Sequence, residues 1–278
     1  MIVTFILAAE VLREALRRRW ILALGIAITF FLVLTFGALR LEVVDGALSA
    51  TRLFGRNVDV NMRSIDIALR PVFKASAYLI FYGGITFGTI TCAEFAPKLL
   101  SPGRIEHLLS QPVRRSEIIV GTFLGVWALA SGAMLYAAVG FAVILSAKTG
   151  VSITGPVVAA LLSSLAWAAI YSVMLATSAW VRSTALSATV GLGVLIGGVI
   201  AGHRSAILQL FAPGLGRTLF SFVSLLLPRI SALAEVTGKL AGSEPVPVAS
   251  VLVLIAGFLV FSLAGLLVAI LCFERKDF

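Results

Sequence analysis

Residues 248–272 read VASVLVLIAGFLVFSLAGLLVAILC and contain no Asp, Glu, Lys or Arg. A helix needs about 20 mostly apolar residues to cross the hydrocarbon core of a bilayer, where only internal hydrogen bonds satisfy the backbone. This stretch exceeds that length, and its Leu, Ile, Val and Phe side chains favour insertion. It therefore predicts a membrane-spanning helix.

Five more stretches of the same kind precede it, and none contains a charged residue. The whole chain is 60% hydrophobic and 13% charged, whereas a soluble domain carries about 25% charged residues. Most of the chain must therefore face lipid, and the predicted fold class is an all-α polytopic membrane protein, one transmembrane domain over residues 1–278. The six predicted spans are residues 20–39, 75–93, 118–145, 156–180, 185–202 and 248–272.

Residues 1–19 have the pattern of an amphipathic helix, with apolar and charged side chains on opposite faces. Such a helix lies in the headgroup plane and turns into the first span near Trp20, an interfacial residue. We predict an elbow helix that either anchors the chain or transmits motion to the first span. The apolar face consists of Phe5, Ala8, Ala9, Leu12, Ala15 and Leu16, and the charged face of Glu10, Arg13, Glu14, Arg17 and Arg18.

The connecting segments set the orientation. Basic residues divide equally between the two sides, but those on the side of the termini lie in shorter segments, which weigh more in the positive-inside rule. We therefore expect both termini in the cytoplasm of a cell membrane (inner or plasma), with residues 94–117 as a cytoplasmic loop and residues 40–74 and 203–247 outside. The net charge of +9 suits a surface of anionic lipid headgroups, so no nucleic-acid partner is expected.

The outer segment 203–247 has an apolar run of its own, Thr218–Leu227, between Arg217 and Arg229. Ten residues are too few to cross the bilayer, so an interfacial or re-entrant helix is expected. A seventh span beginning near Ser205 is the alternative.

No set of residues indicates catalysis. The chain lacks the phosphate-binding Gly-x-x-x-x-Gly-Lys-[Ser/Thr] motif, and Gly238-Lys239 is followed by Leu240. The predicted topology separates His107 from His203, so the two cannot share a metal ion. We expect a protein that is not an enzyme and that holds no metal or cofactor of its own.

The loop 94–117 predicts a short helix with an exposed apolar stripe. Ser101-Pro102 is a typical helix start, and the residue before Pro112 is disfavoured in a helix, so the helix should end by Gln111. Two helical turns are not stable alone in water, and the stripe therefore needs a partner surface. The stripe consists of Ile105, Leu108 and Leu109.

The loop also resembles the ABC type-2 permease family. The positions that carry the resemblance are Glu94, Gly103, Leu108, Leu109, Pro112, Arg115 and Gly121. The resemblance implies a coupling helix that docks on a separate cytoplasmic ATP-binding cassette ATPase, which would hold ATP and Mg. The contact residues implied are Gly103, Arg104, Ile105, Glu106, His107, Leu108, Leu109, Ser110, Gln111, Pro112 and Arg115. Two departures from the family pattern are Thr122, where members often have Lys, and the apolar insert from Phe95 to Pro102.

The same resemblance implies an exporter that pairs with a second permease subunit, as a homodimer. Gly193 and Gly197 have the small-xxx-small spacing of close helix contacts and are predicted at the dimer seam. Glu94 is predicted to act as a gate residue, to pair with an Arg of the elbow helix, or to lie in water at headgroup level. Membrane lipid and an extracytoplasmic partner complete the predicted contacts. An ion-coupled secondary carrier, a membrane enzyme and a scaffold for an extracytoplasmic complex remain alternatives, and the substrate is unknown.

Overall fold

The computed structural model describes residues 2–17, 19–44, 47–53, 56–58, 65–99, 103, 105, 110, 113–149, 154–210 and 214–275. Its helices are α1 (Ile2–Arg17), α2 (Arg19–Ala38), α3 (Ile65–Cys92), α4 (Phe95–Leu99), α5 (Arg115–Thr149), α6 (Gly155–Trp180), α7 (Thr184–Gly202), α8 (Arg204–Leu210), α9 (Leu215–Leu226), α10 (Ile230–Ala241) and α11 (Val248–Glu274). Its strands are β1 (Leu39–Val44), β2 (Ala47–Leu53) and β3 (Arg56–Val58).

The apolar helices confirm a polytopic α-helical membrane protein. In the described part of the chain, five helical segments are long and apolar enough to cross a bilayer, and they coincide with α3, α5, α6, α7 and α11. Helix α2, Arg19–Ala38, occupies the first predicted span. A bent pair of helices, α9 and α10, passes the same test only when the two are taken together.

Helix α6 forms the centre of the bundle. Of its most apolar 18-residue window, 72% is buried, against 11% for α11. It packs against α3, α5, α7, α10 and α11, and many of its buried residues are Ala or Ser, which let neighbouring backbones approach. Because the remaining faces of α11 carry exposed Leu and Val side chains, that helix lies at the lipid-facing edge.

The segment after the first span contains a small antiparallel sheet in the order β1-β2-β3. Leu39 pairs with Leu53 and Val44 with Ala47, and the register shifts between Glu42 and Val43. Helix α3 begins at Ile65, ten residues before the predicted span 75–93, so the last part of the predicted excursion 40–74 is helical. The sheet is an addition to an otherwise helical body.

The second long connection, residues 203–247, folds as α8, α9 and α10. Helices α9 and α10 meet at an angle of 58° around Leu227–Arg229. Helix α10 is buried against α3, α6 and α7, whereas α9 exposes most of its apolar residues. By length and composition the bent pair is either a broken span or a re-entrant segment, so the expected interfacial or re-entrant helix and the alternative seventh span both stay predictions.

Candidate functional site

The elbow helix α1 lies directly on the first turns of α5. A Cβ atom added at Gly121 would lie 2.7 Å from Leu7 Cβ, and one added at Gly125 would lie 2.8 Å from the Ala8 carbonyl oxygen and 2.9 Å from Val11 Cβ. Real Cβ atoms do not approach that closely, so two glycines one turn apart allow the two backbones to touch. Helix α1 is therefore held against α5 by backbone proximity.

The faces of α1 differ from the predicted two-sided pattern. Val11 and Ala15 are buried against the bundle, whereas Phe5 and Leu16 are 67% and 56% exposed. The predicted apolar stripe thus combined two surfaces: one that packs on α5, and one free to enter lipid. The side chain of Arg13 is exposed, as expected for a charged residue on a helix at the headgroup level.

The apolar insert of the predicted cytoplasmic loop folds back into the bundle. It forms α4, in which Phe95 and Ala96 are buried and contribute to the main hydrophobic core. Ile105 is 1% exposed and belongs to the same core. The side chain of Ile105 therefore anchors the loop to its own subunit, while its predicted contact with an ATPase stays a prediction.

Gly103 lies within the predicted coupling segment. Its φ of +81° lies in the left-handed region, which glycine adopts at little cost and other residues avoid. Ile105 is helical and Ser110 lies in a turn. The predicted start of the helix at Ser101 and Pro102 lies outside the described residues, and its predicted end stays a prediction. The other predicted contact residues, Arg104, Glu106, His107, Leu108, Leu109, Gln111 and Pro112, lie outside the described residues.

Two charged residues at the ends of this loop form polar contacts, one within the loop and one with α11. Glu94 forms an ion pair with Lys98 on α4, while its predicted contact with the elbow helix stays a prediction. Arg115, predicted to contact the ATPase, donates from Nη1 to the Glu274 carbonyl oxygen at 3.1 Å. A cation at the carboxyl end of a helix is favourable, so Arg115 joins the start of α5 to the end of α11.

The glycines of α7 serve contacts within the subunit more than the sequence suggested. Gly198 packs on Ile230 and the Pro228 carbonyl, and Gly191 packs on Met174. Gly197 faces Leu227 of its own chain, whereas a Cβ at Gly193 would meet nothing within 4 Å. Of the predicted pair, only Gly193 is therefore open to a partner.

Comparison with known proteins gives one family. A family model described as ABC-2 family transporter protein matches residues 5–278. The chain belongs to that family. No curated protein matches.

Membership makes the chain a membrane permease and implies association with an ATP-binding cassette ATPase subunit. In this ABC-2 permease, Thr122 replaces the frequent Lys and is buried, with its hydroxyl donating to the Ile118 carbonyl at 2.7 Å. A lysine at that position would bring a charge into the packed start of α5, which explains the departure physically.

Helix α10 packs closely on the first turns of α3. A Cβ at Gly238 would lie 2.6 Å from the Tyr78 hydroxyl, and Lys74 donates to Glu244 at 2.6 Å. That hydrogen bond lowers the pKa of Glu244 below its ordinary value. The pairing therefore holds at neutral pH and is lost in acid as the carboxylate protonates.

A cavity of about 470 Å³ lies beside the Lys74–Glu244 ion pair, between α10 and the start of α11. Its walls include Glu235, Lys239 and Glu244. Among the described residues, no three His, Cys, Asp or Glu side chains come together as a metal site requires. The charged side chains that line the cavity are paired, Glu235 with Lys239 and Glu244 with Lys74.

Proposed function

We propose that this chain is the permease subunit of an ATP-driven exporter, a homodimer whose ATPase subunits dock on the cytoplasmic segment 103–112. In this proposal both termini lie on the cytoplasmic side of the cell membrane. The chain itself is not an enzyme, and ATP and Mg bind to the ATPase. The observation that carries the proposal is the packing of α1 on α5 through Gly121 and Gly125, next to a loop anchored by Ile105.

This geometry supports direct transmission of movement from the docked ATPase to α5 and α1. Ile105 in the core and Arg115 at the end of α11 fix both ends of the coupling segment to the bundle. An ATPase that moves the segment would therefore move α5, and α1 would follow because its backbone touches α5 at Gly125. Packed elements of this kind move as rigid bodies between discrete arrangements. ATP-driven closure of the ATPase pair would thus reach the spans without a flexible link.

Co-purification tests the docking segment. We expect Leu108→Asp and Leu109→Asp each to reduce recovery of the ATPase with the tagged permease by about tenfold, because a charge in an apolar contact costs more than 1.4 kcal/mol. Val181→Asp is the matched control: it adds the same charge to the other predicted cytoplasmic loop, where Val181 is 39% exposed. Full recovery of the ATPase with both Leu variants would place the docking surface elsewhere.

The proposed dimer seam predicts a second result. Gly193→Leu should reduce the dimer fraction in detergent several-fold while the subunit stays folded, because Gly193 has nothing of its own chain within 4 Å and small residues permit close contacts between helices. Gly83→Leu on α3, equally open within the chain, is the control. Cross-linking and native mass spectrometry measure the two populations, and equal dimer fractions in both variants would remove α7 from the seam.

A further inference from the structure

Among the described residues, three buried polar groups have no hydrogen-bond partner: the hydroxyl of Ser131 on α5, and the indole N–H of Trp167 and the hydroxyl of Tyr171 on α6. The last two lie in the middle of the bundle. Both side chains are fully buried and lie one turn apart on α6, so the two groups share one face of that helix. An unpaired donor is costly in an interior that neither water nor a protein acceptor reaches, and such groups often mark function.

Side chains of the same two types elsewhere in the bundle do find partners. The Trp127 indole donates to the Ser164 carbonyl at 3.1 Å, and the Tyr136 hydroxyl pairs with Thr29 at 2.9 Å across α5 and α2. Indole and phenol groups elsewhere in this bundle therefore do form hydrogen bonds. Their lack of a partner on α6 is a local property of the surface around Trp167.

Helix α3 covers this face of α6 with small side chains. A Cβ at Gly88 would lie 2.5 Å from Trp167 Nε1, so the N–H edge of the indole points at the α3 backbone. One turn further along α3, the Cys92 thiol is within electrostatic range of the Tyr171 hydroxyl. The α3 backbone thus covers the Trp167 N–H directly, and a movement of α3 would uncover that edge of the stacked pair Trp167–Tyr171.

The surroundings of the two donors define what they would bind. Trp167 stacks on Tyr171 with centroids 4.9 Å apart, and Phe123 stacks on Tyr171 at 6.0 Å, which gives an aromatic wall beside the donors. The apolar spans from residues 75–93, 118–145 and 156–180 contain no Lys, Arg, Asp or Glu. A charged ligand would have no counter-ion there, so the surface suits a neutral molecule with an apolar body.

We infer that Trp167 and Tyr171 form a substrate-binding surface exposed when α3 separates from α6, and that the substrate is an uncharged amphiphile with acceptor oxygens. This inference rests on the proposed transport function. In the closed arrangement the two donors lack acceptors. In the separated arrangement the oxygens of the substrate accept from Trp167 Nε1 and the Tyr171 hydroxyl, and the aromatic rings contact its apolar part.

Thermal unfolding of the purified permease tests the unpaired hydroxyl. Tyr171→Phe keeps the stacked ring and removes the donor, so we expect Tm to rise by about 2–4 °C. Tyr136→Phe, which removes a hydroxyl that has a partner, should leave Tm unchanged or lower it. A fall in Tm for Tyr171→Phe would mean that the hydroxyl is satisfied in the folded protein, and would overturn the inference.

The native Cys92 reports on separation of α3 from α6. It is 2% exposed, and in a Cys272→Ser background it is the remaining cysteine. We expect N-ethylmaleimide to label it about tenfold faster in the complex trapped with ATP and vanadate than without nucleotide, because labelling follows the open population. An unchanged rate in a complex that hydrolyses ATP would overturn the inference and leave the proposed function intact, whereas permease that binds no ATPase would overturn both.

Protection of Cys92 tests the substrate class. In the trapped complex, dioctanoylglycerol, which is uncharged and carries ester oxygens, should slow the labelling several-fold, and dioctanoylphosphatidylglycerol, which is anionic, should not. Tyr171→Phe should weaken the protection by dioctanoylglycerol. Equal protection by both lipids, or protection by neither, would show that the predicted class is wrong.

Discussion

Gly125→Leu should detach the elbow helix from α5 and nearly abolish ATP-driven transport. The smallest side chain at this position already places Cβ 2.8 Å from a backbone oxygen of α1 and 2.9 Å from Val11 Cβ, so no rotation of a flexible side chain relieves the clash. Overpacking of this kind costs about 3 kcal/mol or more when a whole Leu is added. The expected readouts are a lower Tm of the purified permease and loss of transport by the reconstituted complex.

Gly132→Leu is the matched control, since Gly132 lies on the same helix and has nothing within 4 Å. This variant should keep a Tm close to that of the wild type, because Leu also has the better helix propensity. If Gly125→Leu and Gly132→Leu behave alike, α1 does not rest on α5 and the proposed transmission of movement to α1 fails.

Gly198→Leu should displace α10 from the outer end of the bundle. A Cβ at Gly198 would lie 2.6 Å from Ile230 Cδ1 and 2.7 Å from the Pro228 carbonyl oxygen, and Ile230 is fully buried at the start of α10. We expect a loss of about 3 kcal/mol in stability. We also expect ATP hydrolysis that continues without transport, because in the proposed topology α10 lies at the extracytoplasmic end of the bundle and would no longer cover it. Thermal unfolding and paired hydrolysis and transport assays measure the two effects.

Gly257→Leu on α11 provides the comparison, as that position is also open on a helix that mostly faces lipid. It should be close to neutral in both assays. A Gly198→Leu variant that transports normally would show that α10 has no part in closing the outer end.

The spans could be predicted because insertion into lipid depends on composition alone. The charge-free stretch 248–272 lies within α11, and 156–180 lies within α6. The ends of the helices were less predictable, because α3 begins at Ile65 and α5 continues to Thr149, where charged residues are tolerated once a helix leaves the hydrocarbon. The three strands follow from local pairing and have no comparable signal in hydropathy.

The packing of the elbow helix was not readable from α1 itself. Thr4, Leu7 and Val11 face the bundle because Gly121 and Gly125 lie opposite, and that fact belongs to a helix more than 100 residues away. Helix periodicity shows that a face is apolar, but whether protein or lipid covers it depends on the partner. For this reason Phe5 and Leu16 were assigned to the same face as Ala15, which is buried.

The role of the loop that contains Gly103 and Ile105 as a docking site stays a prediction. The left-handed backbone of Gly103 and the burial of Ile105, two residues later, depend on tertiary structure and could not be predicted from the sequence. The unpaired donors of Trp167 and Tyr171 gave no signal at all, since in sequence they are two apolar residues of a span.

A photo-cross-link from the coupling segment in intact membranes tests directly whether an ATPase docks there. With a photoreactive amino acid at position 108, we expect a covalent adduct to the ATP-binding cassette ATPase, and none from the same amino acid at position 181. Adducts that lack the ATPase, or labelling of position 108 by a reagent that reaches only the outer face of the membrane, would contradict docking at this segment.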